Sequence, residues 1–233
     1  GVKDSAGNTL SSQYETSSGF TVWWFTQQLG TSKHDQGFGI TVDSSDNIYV
    51  TGTTLGGLDG NTNSGDFDLV LVKYTSNGVK QWTQQLGTSG FDYGYGVTLD
   101  NSSNIYVSGY TMGGLDGNTN SGSVDLNLVK YNSSGVKQWT RQLGTSSEDR
   151  GWGVSVDSSD NIYLTGYTYG GLDNNTNSGD RDLFLVKYNS SGTKQWTQQL
   201  GTSSGDTGTG VTCLLYTSPS PRDAHESRMP SSA

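Results

Sequence analysis

The chain has 233 residues, 30% of them hydrophobic and 15% charged, with a net charge of −9 and a pI near 4.4. That balance excludes a protein built to hold nucleic-acid phosphates, which needs clustered Lys and Arg, and no stretch reaches the apolar length that spans a bilayer. Abundant Gly, Ser, Thr and Asn would suit a disordered chain, but 11% aromatic content at strictly recurring positions argues for a packed one.

The string Gln-Leu-Gly-Thr-Ser occurs four times, with its leucine at Leu29, Leu86, Leu143 and Leu200, always 57 residues apart. A fixed period of this size marks an array of one supersecondary unit. Residues 1–29 read as the degenerate end of a preceding unit. There Val22 to Leu29 has the pattern of a last strand, with Trp23-Trp24-Phe25 where later copies have Lys-Gln-Trp. Three full copies follow, at 30–86, 87–143 and 144–200, and residues 201–212 start a fourth.

The second copy shows the predicted elements. Tyr95, Val97 and Leu99 alternate with Gly94, Gly96 and Thr98, the period of a strand. Asp100 to Asn104 is a turn by composition, and Ile105 to Tyr110 alternate again as a second strand. A polar loop from Gly113 to Gly122 leads to a third strand, Asp125 to Tyr131. After a turn at Asn132 to Gly135, Lys137 to Leu143 form the fourth strand, with Trp139 and Leu143 on one face.

The fourth copy breaks off in mid-strand. After Val211-Thr212 it reads Cys213-Leu-Leu-Tyr-Thr-Ser-Pro-Ser-Pro-Arg-Asp223, which matches a translated transposase-type sequencing adapter. Residues 213–233 are therefore read as a non-native tail and set aside. Without them no cysteine remains, so neither a disulfide framework nor a zinc-finger pattern is present, and His34 is the remaining histidine. Lacking an initiating Met, the chain reads as a fragment of a longer protein.

Four short antiparallel strands per repeat are the unit of a β-propeller blade. A row of sandwich domains would need about 100 residues each, and β-helix coils are shorter. The expected fold is all-β: a partial β-propeller with three complete four-stranded antiparallel blades, near 37–86, 94–143 and 151–200, plus flanking partial blades. Glycines at alternate first-strand positions, such as Gly94 and Gly96, suggest close backbone approach near a central channel. The residue between them is Phe38, Tyr95 or Trp152, expected to wedge between blades together with Trp82, Trp139 and Trp196. Sugar-stacking platforms are the other reading of these aromatics.

Residues 27–212 resemble the bacterial SBBP β-propeller repeat. The resemblance rests on Gln-Leu-Gly-Thr-Ser, Asp-x-Gly-x-Gly-Val, Asp-Ser-Ser-x-Asn-Ile-Tyr, Gly-Leu-Asp-Gly-Asn-Thr-Asn-Ser-Gly, Leu-Val-Lys-Tyr and Lys-Gln-Trp-Thr. It implies a module of bacterial secreted or surface proteins and no catalytic residue set.

Several residues remain as candidate sites. Asp59, Asn61 and Asn63 recur as Asp116, Asn118, Asn120 and as Asp173, Asn175, Asn177. Oxygen side chains at positions one, three and five open a Ca²⁺ loop, but Ser64 stands where its turn glycine belongs and Val70 where its bidentate Glu belongs. Short side chains bonding their own backbone explain the loop without metal. Asp35, Asp92, Asp149 and Asp206 open each first strand, either as a carboxylate ring or as turn caps. The complete copies barely differ, which favours a non-enzymatic extracellular scaffold or binding module with a protein or glycan ligand. A calcium-dependent or glycan-binding adhesin, and a fragment of a propeller enzyme whose site lies in other blades, are the alternatives.

Overall fold

The computed structural model describes residues 14–15, 21–22 and 27–213. Strands β1 (Tyr14–Glu15) and β2 (Thr21–Val22) pair antiparallel. The first large sheet is β3 (Asp35–Val42), β4 (Ile48–Thr54), β5 (Asp68–Tyr74) and β6 (Lys80–Leu86). The second is β7 (Asp92–Leu99), β8 (Ile105–Thr111), β9 (Asp125–Tyr131) and β10 (Lys137–Leu143). The third is β11 (Asp149–Val156), β12 (Ile162–Thr168), β13 (Asp182–Tyr188) and β14 (Lys194–Leu200). Each is a four-stranded antiparallel meander in chain order, so the all-β propeller architecture holds; among the described residues the sheets do not close on themselves. Of the strand expected over Val22 to Leu29, residues 23–26 lie outside the described residues and Gln27 to Leu29 are not strand; the tail beyond Cys213 also lies outside them.

Turn chemistry accounts for the hairpins. Asp100 Oδ1 accepts the backbone N–H groups of Ser102 and Asn104, while Oδ2 accepts Asn104 Nδ2 and the Tyr106 hydroxyl. Ser103 can then sit at φ 58° in the left-handed region. Asp43 and Asp157 repeat this arrangement. In the second hairpin Asn132 Oδ1 holds the N–H groups of Ser134 and Val136, and Gly135 supplies the φ of 81° that such a turn requires.

The sheets stack face to face, with β7 lying against β3, β4 and β5, and β11 against β7, β8 and β9. Alternation sends apolar side chains from every sheet to both sides. Tyr49, Leu69 and Leu71 of the first sheet meet Ile105, Val107, Val129 and Tyr131 of the second. The other face of the second sheet places Tyr106, Leu126 and Leu128 against Ile162, Leu164, Val186 and Tyr188 of the third. All seven residues of β8 are buried. The far face of the first sheet instead borders a cleft of about 330 Å³ lined by Ile48, Val50, Leu58, Val72 and Tyr74.

Each fourth-strand tryptophan covers a second-strand tyrosine: Trp82 on Tyr49, Trp139 on Tyr106, Trp196 on Tyr163, with ring centroids 6.0–6.2 Å apart. The turn of the next sheet closes over it. Gly135 lies against Trp82, and Gly192 lies against Trp139, where Arg141 also stacks at 4.9 Å. Trp196 is 37% exposed because no described residue supplies the next turn. Trp139→Ala is therefore expected to lower unfolding free energy by about 3 kcal/mol or more, and Trp196→Ala by less than half as much. Denaturant titration of both variants measures the difference.

Candidate functional site

The invariant Gln-Leu-Gly-Thr-Ser string forms the joint between successive sheets. Gln85 Nε2 donates to Asp68 Oδ2 (2.8 Å) and to the Gly56 carbonyl (3.0 Å), while its Oε1 accepts Leu58 N–H (3.0 Å). Gly87 follows because a Cβ there would collide with the Asp68 carboxylate. Thr88 then turns the chain by donating N–H and hydroxyl to Asp92 Oδ2, at 2.6 and 2.9 Å. Asp92 N–H reaches back to the Phe67 carbonyl (2.6 Å) and locks the next sheet to the last. Gln142, Thr145 and Asp149 repeat the clasp, and Thr202 with Asp206 repeat its last step. The first-strand aspartates thus cap turns four residues upstream.

Asp68, Asp92, Asp125 and Asp149 are fully buried. Burial raises the carboxyls of Asp92 and Asp149 above their ordinary value; hydrogen bonds from threonine oppose this, and the charge of Asp68 or Asp125 adds to it. Asp35 occupies the same repeat position but is less buried. Burial pushes its carboxyl up as well, yet the Thr54 and Thr31 hydrogen bonds outweigh it and the net shift is downward.

A second feature emerges from the positions at which the copies differ. First-strand starts read His34, Phe91 and Glu148, then Gln36, Tyr93 and Arg150, then Phe38, Tyr95 and Trp152. Second-strand ends read Thr53, Tyr110 and Tyr167, then Leu55, Met112 and Tyr169; the residue before the third strand is Phe67, Val124 or Arg181. These substitutions converge on one belt. Phe67 touches Phe91 (5.7 Å) and Tyr93 (5.4 Å), and Tyr93 stacks on Tyr110 (4.7 Å). Phe38, Tyr95 and Trp152 form a ladder across all three sheets at 4.5 and 4.6 Å. Arg150 lies over Tyr110 at 4.4 Å and pairs with Glu148 at 2.8 Å; Glu148 also accepts the Tyr167 hydroxyl at 2.7 Å.

This corrects the expectation that the ladder residues wedge together with Trp82, Trp139 and Trp196, since the two aromatic sets pack on different partners. The reason is a β-bulge. The register of first and second strands shifts between Gly37 and Gly39, Gly94 and Gly96, and Gly151 and Gly153. The residue between each pair is extra to the ladder of backbone pairs, so its side chain is re-aimed.

With this geometry in hand, the comparisons are informative. The family model for the SBBP beta-propeller repeat matches three times, over residues 24–59, 81–116 and 138–173. The repeats are SBBP repeats. The second and third matches run from a fourth strand, through the joint, into the first two strands of the next sheet, so the SBBP motif contains the clasp itself. The chain is also 24% identical, over 225 aligned positions, to an uncharacterized WD repeat-containing protein of Acanthamoeba polyphaga mimivirus. That alignment covers 75% of this chain and 16% of the relative. A propeller repeat module is the function class these matches support.

In the SBBP loops, Asp59 accepts both the Lys80 ammonium and the Thr83 hydroxyl. Asn61 Nδ2 donates to the Leu58 carbonyl (2.8 Å), and Asn63 Nδ2 to the Asp66 carbonyl (2.9 Å). Asp116 and Asp173 hold Lys137 with Thr140 and Lys194 with Thr197 in the same way. Asn118 and Asn175 bond the Leu115 and Leu172 carbonyls, and Asn120 and Asn177 the Met112 and Tyr169 carbonyls. Among the described residues no three His, Cys, Asp or Glu side chains group as a metal site. His34 is exposed and edges onto Phe67 at 5.6 Å.

Two outcomes follow. A Ca²⁺ ion would have to displace a lysine from each loop aspartate, so melting temperature is expected to be the same in EDTA and in millimolar Ca²⁺; a Ca²⁺-dependent rise would show that the loops take the ion. Asp92 and Asp149 bind a proton more tightly folded than unfolded. Their contribution is complete below the ordinary value of 3.8 and is lost as pH rises through the raised folded values. The stability of wild type relative to the Asp92→Asn/Asp149→Asn variant is therefore expected to fall with rising pH, as read from melting curves; a pH-independent difference would show that these carboxyls do not titrate there.

Proposed function

We propose that this chain is a non-enzymatic β-propeller module of a bacterial secreted or cell-surface protein, in which near-identical sheets serve as scaffold and the aromatic belt binds a ligand. One observation carries this reading: many of the residues that differ between copies, Phe67, Phe91, Tyr93, Tyr95, Tyr110, Arg150 and Trp152 among them, are brought together in one continuous belt across the sheets, while the shared Gln-Leu-Gly-Thr-Ser strings build the joints. A repeat that served only as a spacer would have no need to vary there and keep its joints constant. Glu148 is engaged by Arg150 and Tyr167, an arrangement that positions rings rather than delivering a proton. The aromatic and arginine content also favours a glycan-binding adhesin as the specific form of this module, since such side chains combine a flat apolar face with a polar edge.

Probing protein and glycan arrays with wild type and with a Tyr93→Gln/Tyr110→Thr/Arg150→Gln/Tyr167→Thr variant tests the reading. Each replacement is the residue the first copy already carries at that position, and because Tyr110 and Tyr167 are buried a melting curve of the variant accompanies the arrays to separate lost binding from lost fold. Binding is expected to be lost in the variant. Hits that persist after the belt is replaced would overturn the assignment.

A further inference from the structure

The second sheet carries a tyrosine pair that its neighbours lack. Tyr93 of β7 and Tyr110 of β8 are direct cross-strand partners, where the first sheet pairs Gln36 with Thr53 and the third pairs Arg150 with Tyr167. Opposed residues of an antiparallel pair hold their Cα atoms about 4.5–5.5 Å apart, so both rings rise from one point of the sheet. The rings stack with 4.7 Å between centroids and 24° between planes. Tyr95 lies 5.7 Å from each of them, and its hydroxyl and that of Tyr93 border the Tyr110 hydroxyl. Arg150, reaching over from the third sheet, covers Tyr110 at 4.4 Å and holds that ring in place.

Other tyrosines are engaged differently. Tyr49, Tyr106 and Tyr163 donate their hydroxyls to Asp43, Asp100 and Asp157 at 3.0, 2.9 and 3.1 Å, and each ring faces a tryptophan. Tyr131 and Tyr188 are buried in the cores between sheets. Tyr167 meets Tyr169 edge-on, at 87°, and its hydroxyl is taken by Glu148. The stacked pair also has a route to an oxidant. Tyr110 is 5% exposed, but Tyr93, Tyr95 and Trp152 are half-buried, and Trp152 touches Tyr95 at 4.6 Å. An electron can leave the buried ring through these ring contacts. The one cysteine of the chain, Cys213, is free, so no disulfide braces these strands.

We infer that Tyr93 and Tyr110 form a site of oxidative modification, at which a one-electron oxidant joins the two side chains as dityrosine. Each phenol gives one electron to the oxidant and one proton to solvent. The two radicals then pair in a carbon–carbon bond between ring positions ortho to the hydroxyls. The hydrogen on each bonded carbon moves back to oxygen through solvent, which restores both phenols. The chain thus loses two hydrogens in all, and two equivalents of oxidant are reduced. The bond ties β7 to β8 and closes residues 93–110 in a covalent loop that also restricts the unfolded chain. Ligand binding plays no part in this chemistry.

Irradiating the full chain at low concentration with tris(bipyridyl)ruthenium(II) and persulfate, which generate the Ru(III) complex as oxidant, tests the inference; free tyrosine treated alongside verifies that the oxidant is active. Wild type is expected to gain dityrosine fluorescence and to lose two hydrogens by intact mass, while running as a monomer on a denaturing gel. Proteolysis before aspartate separates residues 92–99, which hold Tyr93 and Tyr95, from residues 100–115, which hold Tyr106 and Tyr110. After oxidation these two peptides are expected to stay joined, with the link at Tyr93 and Tyr110. The fluorescence is expected to fall to background in Tyr93→Phe and in Tyr110→Phe, which keep both rings, and to persist in Tyr95→Phe. Should a phenylalanine variant misfold, the peptide map of wild type decides by itself. No coupling in wild type, a bond mapped to Tyr95 or Tyr106, coupling that survives in either of the first two variants, or linkage only between separate chains would each overturn the assignment.

Discussion

The structure depends on one constraint: every interior sheet must be covered on both faces. Period-two alternation in β8, β9, β12 and β13 sends apolar residues to each side in turn, so Leu126 and Leu128 serve one interface and Val129 and Tyr131 the other. No sheet here forms a core by itself. Each becomes stable when its neighbour is in place, and for that reason the sequence repeats rather than diversifies. The graded exposure of equivalent residues shows the constraint directly. Leu200 is 69% exposed, whereas Leu86 and Leu143, at the same repeat position, are half-buried between sheets.

Covering the faces requires that successive sheets arrive in a fixed register, and the clasp supplies this. A buried carboxylate is costly without partners. Asp92 and Asp149 tolerate burial because a threonine backbone N–H and hydroxyl converge on one oxygen of each. The same bonds tie the end of one sheet to the start of the next, so the invariant Gln-Leu-Gly-Thr-Ser string sets orientation as well as connection. That the SBBP match spans the joint, rather than one whole sheet, has the same origin. What is repeated is the means of adding another sheet.

The fold was legible because its determinants are local. Asp100 to Asn104 and Asn132 to Gly135 carry their turn chemistry within four or five residues, and the strands between them alternate cleanly. The candidate site was far less legible. His34, Gln36 and Thr53 look like incidental variation when copies are compared for likeness, and the belt appears only when Phe67 is seen beside Phe91 and Tyr93, residues from two different sheets. A column-by-column comparison of the copies for difference would have singled out these positions, although not their convergence. The bulge was hidden for another reason: Gly-Tyr-Gly reads as plain alternation, and nothing local shows that the partner strand has one residue fewer.

That bulge explains how a repeat can be both rigid and variable. Phe38, Tyr95 and Trp152 have no opposite residue in the second strand, because Gly37 pairs with Gly52 and Gly39 already pairs with Thr51. A change at the bulged position therefore leaves the backbone pairing intact and does not alter the sheet faces that must mate. Asn127 and Phe184 make the contrast, since they are buried within regular pairs of interior strands. Variation there leaves Asn127 with an amide that finds no partner among the described residues. At the bulged position, then, the side chain can change from copy to copy without disturbing the stacking that holds the array together.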